Sequence, residues 1–474
     1  MVQEKLSKEV REGRMAGPFS DWPLENLIVS PIGVVPKKEK GQFWLIHHLS
    51  WPEGTSVNDF ILEEVTKVSY ASVDVAVAMI EQLGPGALMA KTDVKSAFRL
   101  LPVHPDDFEL LGIQFQGNWY VDKALPMGCS SSCALFERFS TALQWIFQRM
   151  TGHQWVTNYL DDFFFAAPAD SPLCAAVLSG FVEIMGDLGV PLAPEKTVGP
   201  TTALSFLGIE LDTVEGMARL PADKKADMME RIFGMLGRSK VTVREVQVLL
   251  GHLNFACRVV RAGRTFCRRL SLALSGHALP HHHVRLKVEV HEDLRMWAKF
   301  LESFNGIPLK TCRDCEWDVQ LFSDAAGAYG FGLYWEGRWC AEEWPSEWKH
   351  GGRSIAFLEL FPLIVAVCLW GSELQHSRVL SRVDNMTVVQ LVNRQSAREA
   401  GVLQLMHVFV LQCLRHDIHF IARYVPGANN DIADALSRSQ WERFHGLTTG
   451  VALRRIYMPE VLWTVGNHGC YGWL

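Results

Sequence analysis

The chain has 474 residues, 48% hydrophobic and 21% charged, which is ample core for about two to four globular domains. It has no apolar run of about eighteen residues, and this excludes a protein anchored by membrane-spanning helices. A net charge of −6 excludes a uniformly basic nucleic-acid binder, so a polynucleotide would have to meet local basic patches or carboxylates covered by metal.

The cysteines predict a reducing compartment. There are 11 of them, an odd number without framework spacing, which is typical of reduced thiols in an intracellular protein, either cytoplasmic or nuclear. Cys312 and Cys315 have zinc-like spacing, but no second pair of ligands follows them nearby. The run from His281 to His283 is interpreted as a solvated linker.

The first half of the chain predicts strands and helices in a split βαβ order. The predicted elements are strands at 27–29, 32–35 and 43–46, a helix at 70–83, a strand at 88–94, a helix at 130–149, a hairpin around Tyr159, a helix near 174–187 and a strand pair ending at Leu211. The long helix is predicted to bury Leu135, Phe139, Leu143 and Phe147. This order brings Asp93 next to Asp161 and Asp162.

The second half predicts helices followed by a mixed sheet. Residues 222–305 are mostly helical, with an apolar stripe that includes Val243, Val246 and Leu249. Strands are expected at 319–324, 330–335, 338–341, 379–384 and 418–425, and helices at 355–370, after Asp384 and at Asp434. No prediction is made for the structure of residues 441–474.

The pair Asp161-Asp162 is the strongest chemical signal, because it lies between two apolar strands. Two like charges about 4 Å apart repel by about 4 kcal/mol at an effective dielectric of 20. A hard, oxygen-liganded cation such as Mg²⁺ would compensate them. The alternative is a solvated hairpin turn, in which aspartate is common.

Three carboxylates at adjacent strand ends, Asp93, Asp161 and Asp162, suit phosphoryl transfer, which depends on charge neutralisation and in-line positioning. Other residues fit the same chemistry. Lys37 and Lys38 could meet a triphosphate, Gly128 would let a backbone approach a substrate closely, and Lys196 could protonate a leaving pyrophosphate.

These residues resemble the ordered motifs of reverse transcriptases. The segments that carry the resemblance are Asp93 to Phe98, Leu125 to Phe136, Tyr159 to Asp162, Pro194 to Lys196 and Phe206 to Leu211. The resemblance implies a right-hand polymerase with fingers, a split-βαβ palm and a helical thumb. It also implies two Mg²⁺ ions per site (Mn²⁺ as a substitute), an RNA template, a DNA primer and deoxynucleoside triphosphates. Phe98 would select deoxynucleotides, and Tyr159 would contact the nucleotide.

Further segments narrow the resemblance to the DIRS and Ngaro retrotransposons, relatives of the gypsy type. These segments are Ser30 to Lys38, Leu45 to Ser50, Ser56 to Asp59 and Leu253 to Arg258. The similarity extends from about Arg11 to Arg438. The predicted domains are fingers and palm (1–221), thumb (222–275), connection (276–316), a ribonuclease H-like domain (317–440) and a tail (441–474).

A second constellation, Asp324, Glu359, Asp384 and Asp434, resembles the four acids of ribonuclease H, which bind two Mg²⁺ ions and cut RNA in an RNA–DNA hybrid. The segment from Asn429 to Arg438 resembles the last motif of that family, which selects Asp434 over Asp431. The alternative makes Glu359 an ordinary helix acid and Asp384 a helix N-cap.

Four arginines, Arg258, Arg261, Arg264 and Arg268, recur at helical spacing and predict one basic helix face. A solvated face is the plain interpretation. Because they lie in the segment that resembles a polymerase thumb, we expect them to contact the phosphates of a duplex.

Two residues depart from the family pattern. Trp44 stands where the family usually has an arginine for the triphosphate, and Cys133 stands where it often has proline. Three hypotheses follow: a polymerase with ribonuclease H activity, a polymerase-impaired element remnant with only ribonuclease H activity, and a non-enzymatic hybrid-binding protein. The oligomeric state is not predicted.

Overall fold

Residues 1–36, 41, 43–277, 279–309 and 317–465 are described by the structure, a computed structural model. The chain divides into two units. The first comprises Met1–Ala218 with a short segment that begins at Pro308, and the second comprises Arg219–Ile307 and the C-terminal part of the chain. Among the described residues, no helix combines the length and the apolar character needed to cross a membrane.

The first unit combines helices with several small sheets. Its helices are α1 (Val2–Arg11), α2 (Glu63–Thr66), α3 (Val73–Leu83), α4 (Ser132–Thr151) and α5 (Leu173–Asp187). The strands up to its boundary are β1 (Met15–Phe19), β2 (Ile32–Pro36), β3 (Phe43–His47), β4 (Leu88–Asp93), β5 (Gly112–Phe115), β6 (Asn118–Asp122), β7 (Val156–Tyr159), β8 (Asp162–Ala167), β9 (Val198–Thr201), β10 (Ala203–Phe206), β11 (Ile209–Asp212) and β12 (Met217–Arg219).

The sheet that carries the acidic hairpin has the strand order β7-β8-β4-β9. It confirms the expected strand-helix-strand-strand-helix-strand sequence, but its last strand was predicted wrongly. The predicted pair ending at Leu211 is the separate β10–β11 hairpin, and the edge strand is β9. Sequence reasoning missed β9 because it contains Gly199-Pro200, and both residues are depleted in strands except at edges.

The core of this unit forms where α4 and α5 cover the sheet. Phe181 of α5 stacks against Phe147 of α4 and against Phe163 and Phe165 of β8, with ring centroids 4.8 to 5.3 Å apart. The predicted buried face of α4 is partly wrong, because Leu135 is 40% exposed while its neighbour Phe136 is buried. The aromatic layer fixes β8 and therefore the strand ends that carry the acids.

The predicted fingers hairpin is present as β2 and β3, which pair antiparallel with Gly33 opposite Ile46. The strand predicted at 27–29 reduces to one bridge between Val29 and Gly112. Lys37 and Lys38 lie outside the described residues, as do Cys312 and Cys315.

The second unit has a helical first part and a sheet-based second part. Its helices are α6 (Ala222–Leu236), α7 (Val243–Ala256), α8 (Arg268–Ala273), α9 (Val288–Ser303), α10 (Ile355–Trp370), α11 (Met386–Arg394), α12 (Ala400–Arg415), α13 (Asp431–Ser437) and α14 (Trp441–Leu447). Its strands, from the boundary onward, are β13 (Lys240–Thr242), β14 (His283–Arg285), β15 (Ile307–Pro308), β16 (Val319–Ala326), β17 (Gly330–Trp335), β18 (Arg338–Glu343), β19 (Arg378–Val383), β20 (His419–Tyr424) and β21 (Arg454–Arg455).

The large sheet of this unit is mixed, as the sequence predicted, with the order β20-β19-β16-β17-β18-β21. The central strand β16 pairs antiparallel with β17 and parallel with β19. Because Phe322 lies opposite Arg382 in the parallel pair, Asp324 and Asp384 lie at the same edge of the sheet. Helix α10 consists almost entirely of apolar residues and is buried along most of its length. Its one acidic residue, Glu359, therefore lies in an apolar environment.

One sequence interpretation of this unit is wrong, and one segment without a prediction is now described. Helix α7 ends at Ala256 and α8 begins at Arg268, so the predicted single helix face through the four arginines is wrong. The C-terminal segment, for which nothing was predicted, adds α14 and the edge strand β21, and β21 pairs with β18.

Candidate metal centres at two carboxylate clusters

The first cluster forms where β4 and the β7–β8 hairpin end at the same edge of their sheet. Asp93 is the last residue of β4 and lies directly opposite Asp162, the first residue of β8. The backbone N–H of Val94 donates to the carbonyl of Asp161 at 2.9 Å. The antiparallel register therefore brings together Asp93, Asp161 and Asp162, which the sequence placed next to each other.

A buried glutamate holds the acidic hairpin in shape. Glu137 of α4 accepts hydrogen bonds from the Leu160 backbone N–H at 2.7 Å and from Asn158 Nδ2 at 3.1 Å. Leu160 has a φ of 50°, an uncommon conformation for a branched side chain, and the carboxylate stabilises this turn. Sequence reasoning missed Glu137, although an acid on the buried face of a helix is a usable signal.

The first cluster carries unbalanced negative charge. Burial, and then the charges of Asp93 and Asp162, raise the pKa of Asp161 to about 6. Burial and Asp93 also raise the pKa of Asp162. Lys196 Nζ donates to Asp93 Oδ2 at 2.8 Å. Although burial opposes it, this bond and the three aspartates raise the pKa of Lys196 above its ordinary value.

The three carboxylates of the first cluster are spread more widely than those of a closed metal site. Among the described residues, the one set of three acidic or other ligating side chains whose atoms all lie within 4.8 Å is Asp324, Glu359 and Asp384. Lys196 Nζ, which donates to Asp93 Oδ2, places one cation of the chain beside this wider group.

Three of the predicted nucleotide contacts have defined neighbours in the structure. Phe98 packs edge-on against Phe136 at 5.3 Å, and Tyr159 lies 4.8 Å from Tyr70. Gly128 has a φ of 124°, and a Cβ there would lie 1.9 Å from the backbone oxygen of His47. The close approach that needs this glycine is therefore to the chain's own β2–β3 hairpin, which was not foreseen.

The second cluster lies at one edge of the mixed sheet, where β16 and β19 deliver Asp324 and Asp384 and α10 delivers Glu359. One oxygen from each lies within 4.8 Å of the others. Burial first, and then the neighbouring acids, raise the pKa of Glu359 to about 9. Burial is also the main cause that raises the pKa of Asp324 to about 6. Asn385, not Asp384, caps α11, because its side chain accepts from the N–H of Thr387, so the N-cap alternative for Asp384 is wrong.

Asp434, the fourth predicted acid, lies outside the 4.8 Å group and is bound to arginines. Burial would raise its pKa, but hydrogen bonds from Arg438 and Arg443 outweigh burial and lower it. Two neighbours on the same segment, not predicted, tie it to the sheet. Ser437 Oγ donates to Asp324, and Asn430 Nδ2 donates to the Ser323 carbonyl at 2.9 Å.

The second cluster fits a divalent cation by its chemistry. Carboxylate oxygens are the ligands that hard cations prefer. Glu359 Oε2 and Asp384 Oδ1 are buried and have no hydrogen-bond partner within the described part of the chain. A buried acceptor without a partner is costly unless another group compensates it.

Two of the four arginines that were predicted to bind a duplex contact other residues of the chain. Arg261 lies 3.7 Å from Asp417, and Arg268 donates to the Ala397 carbonyl at 3.2 Å. Arg258 covers the Phe255 ring at 5.9 Å, and Arg264 is exposed. Arg258 and Arg264 are both exposed, whereas Arg261 and Arg268 contact other parts of the chain.

Comparisons with known proteins identify part of the first unit. Residues 46–211 match the family described as reverse transcriptase (RNA-dependent DNA polymerase). The chain is 27% identical over 172 residues to a Gag-Pro-Pol polyprotein of human T-cell leukemia virus 3, which covers 36% of this chain and 11% of the relative. It is 28% identical over 171 residues to Protein P of a duck hepatitis B virus, which covers 34% and 20%. The chain thus spans a fifth or less of these relatives.

Two solved structures of a foamy viral protease-reverse transcriptase have similar folds. The first, in complex with double-stranded DNA, has a TM-score of 0.54 and 18% identity over 90% of this chain and 69% of that chain. The second, in complex with an RNA/DNA hybrid, has a TM-score of 0.52 and 16% identity over 89% of this chain and 53% of that chain. The shared feature is a polymerase fold of mixed α and β content.

Replacing Asp161 by Asn should stabilise the metal-free protein at neutral pH by about 1–2 kcal/mol. The pKa of Asp161 is raised from 3.8 to about 6, so the folded state binds this proton more tightly than the unfolded state does. The resulting stability is complete below about pH 4 and is lost as the pH rises through 6. Urea unfolding in a chelator from pH 4 to 8 should therefore show a gain for Asp161→Asn that grows toward pH 6 and then levels off.

The exposed Asp187 provides the matched control, because Asp187→Asn makes the same chemical change away from the cluster. If the free energy of unfolding changed with pH in the same way for both variants, the raised pKa of Asp161 would not be the cause of the effect.

Proposed function

We propose that this chain, whose residues 46–211 form a reverse transcriptase domain, is an RNA-directed DNA polymerase whose second unit cuts the RNA of an RNA–DNA hybrid. The observation that carries the proposal is the pair of carboxylate clusters at two sheet edges, one in each unit. The expected partners are an RNA template, a DNA primer, their hybrid, and deoxynucleoside triphosphates.

The polymerase assignment is supported by the first cluster together with the family match. Asp93, Asp161 and Asp162 would hold the metal ions, and Lys196, bound to Asp93, is positioned near the same carboxylates to donate a proton to pyrophosphate. Phe98, Tyr159 and Gly128 are proposed nucleotide contacts, as are Lys37 and Lys38. Glu137 keeps the hairpin turn fixed, so that its two aspartates present a constant geometry.

The nuclease assignment rests on the second cluster. Asp324, Glu359 and Asp384 would hold the metal ions with Asp434 as the fourth ligand, and the unpartnered oxygens of Glu359 and Asp384 support this. Bound Mg²⁺ (or Mn²⁺) would supply charge neutralisation for phosphoryl transfer at both clusters. Without a cation, burial and the neighbouring acids raise the pKa of Glu359 to about 9 and favour its protonated form, whereas a bound cation would favour the carboxylate.

The predicted domains follow from this assignment. Fingers and palm would occupy 1–221, a thumb 222–275, a connection 276–316 and a ribonuclease H-like domain 317–440. Because α14 and β21 belong to the second unit, the nuclease domain is proposed to extend beyond residue 440. The origin that the sequence resemblance favours is a DIRS or Ngaro retrotransposon, and phosphate contacts are proposed for Arg258, Arg261, Arg264 and Arg268.

Trp44 favours a second candidate, a polymerase-impaired remnant with only nuclease activity. Its side chain is 41% exposed on the fingers strand β3, where the resemblance expects an arginine. An indole has one N–H donor and no charge, so it cannot replace a guanidinium on a triphosphate. A hybrid-binding protein without activity is the third candidate.

Two assays separate these candidates. On a poly-rA template with an oligo-dT primer, Asp161→Asn should abolish primer extension and leave cleavage of a labelled hybrid unchanged. Asp384→Asn should abolish cleavage of the hybrid and leave primer extension unchanged, because the two aspartates belong to different clusters. Cleavage without extension in the wild type would support the remnant, and binding without either activity would support the third candidate.

Trp44→Arg should lower the KM for deoxynucleotide by about tenfold, because one charge-assisted contact to phosphate is gained. Steady-state extension kinetics measure the effect. Trp51→Arg, which makes the same change at an exposed position outside the strand, is the matched control and should leave KM unaltered. An equal KM for both variants would show that residue 44 does not meet the triphosphate.

A further inference from the structure

Both carboxylate oxygens of Asp434 accept charge-assisted hydrogen bonds from arginines. Arg438 Nε donates to Oδ1 at 2.6 Å, and Arg443 Nη1 donates to Oδ2 at 2.6 Å. The second terminal nitrogen of Arg443 donates to Asp431, so its guanidinium bridges two acids of α13. Bonds of this kind are among the strongest that a protein makes between side chains.

The arginines separate Asp434 from the other acids of the second cluster. Asp324, Glu359 and Asp384 gather within 4.8 Å, and two of them keep buried oxygens without a partner among the described residues. Asp434, by contrast, has its oxygens occupied and its charge compensated. Among the described residues, Asp434 is therefore ion-paired with two arginines, whereas Asp324 and Asp384 feel the charge of Arg438 only at longer range and no basic group is paired with Glu359.

Helix α14 holds Arg443 in place from outside the predicted nuclease domain. Phe444, the next residue, is fully buried and packs against Trp339 at 5.2 Å between ring centroids. Trp441 contacts the same ring at 5.7 Å. These contacts fix the helix to strand β18. The packing of α14 therefore sets the position from which Arg443 reaches α13.

We infer that Arg443 is a positioning residue that holds Asp434 away from the three-acid group, so that a second divalent cation must displace the guanidinium before Asp434 can bind it. This inference rests on the proposed nuclease function. A guanidinium and a divalent cation compete for the same carboxylate oxygens, so the arginine weakens the second metal site. Segment 441–447 thereby acquires a role in the occupancy of that site.

The test is a Mn²⁺ titration of the full chain by calorimetry, with bound Mn²⁺ followed by electron paramagnetic resonance. All variants carry Asp161→Asn to weaken binding at the first cluster. Arg443→Gln should tighten the weaker of the Asp324-dependent binding steps by about tenfold, because the cation then no longer has to break a charge-assisted hydrogen bond to Asp434. Arg443→Lys, which keeps the charge but loses the planar guanidinium fork, should give a smaller change.

Arg423→Gln is the matched control. Arg423 is exposed on β20, beside the strand that leads to Asp384, and its loss removes the same charge from the neighbouring strand. Equal tightening in Arg423→Gln and Arg443→Gln would overturn the inference, since general electrostatics would then explain it. Mn²⁺ binding that does not depend on Asp324 would overturn the metal assignment itself, whereas Asp324-dependent binding unaffected by Arg443→Gln would overturn only the role of Arg443.

Discussion

Repulsion between carboxylates is the constraint on which the rest of this structure depends. Each unit forces acids together at the edge of a sheet, and burial prevents water from screening them. Burial first, and then the charges of the neighbouring acids, raise the pKa of Asp161 to about 6 and that of Glu359 to about 9. The aromatic layer on β8 and the apolar helix α10 provide the packing that keeps the acids in place.

The two clusters manage the same repulsion differently. In the first, one ammonium bound to Asp93 offsets part of the charge, and a buried glutamate fixes the turn that carries the other two acids. In the second, the close ion pairs among the described residues are made by Asp434, while Arg438 acts on Asp324 and Asp384 only from a greater distance. This contrast links the proposed metal chemistry to residues that lie beyond the recognised motifs.

Sequence patterns predicted most of the elements because the periodic apolar segments are long, as in α4 and α10. They failed where local composition contradicts the final structure, as in strand β9 with Gly199-Pro200. Helical spacing of the arginines misled because periodicity does not reveal that α7 stops at Ala256. The acids of both clusters were predicted from motifs, whereas Glu137 and Arg443 act through tertiary contacts that sequence spacing cannot show.

Crystals soaked in Mn²⁺ and measured at its absorption edge test the central claim most directly. The account predicts anomalous density between Asp93 and Asp161, and a separate peak among Asp324, Glu359 and Asp384. Chain-bound Mn²⁺ found only at other acids, with both sheet edges empty at saturating concentration, would contradict it.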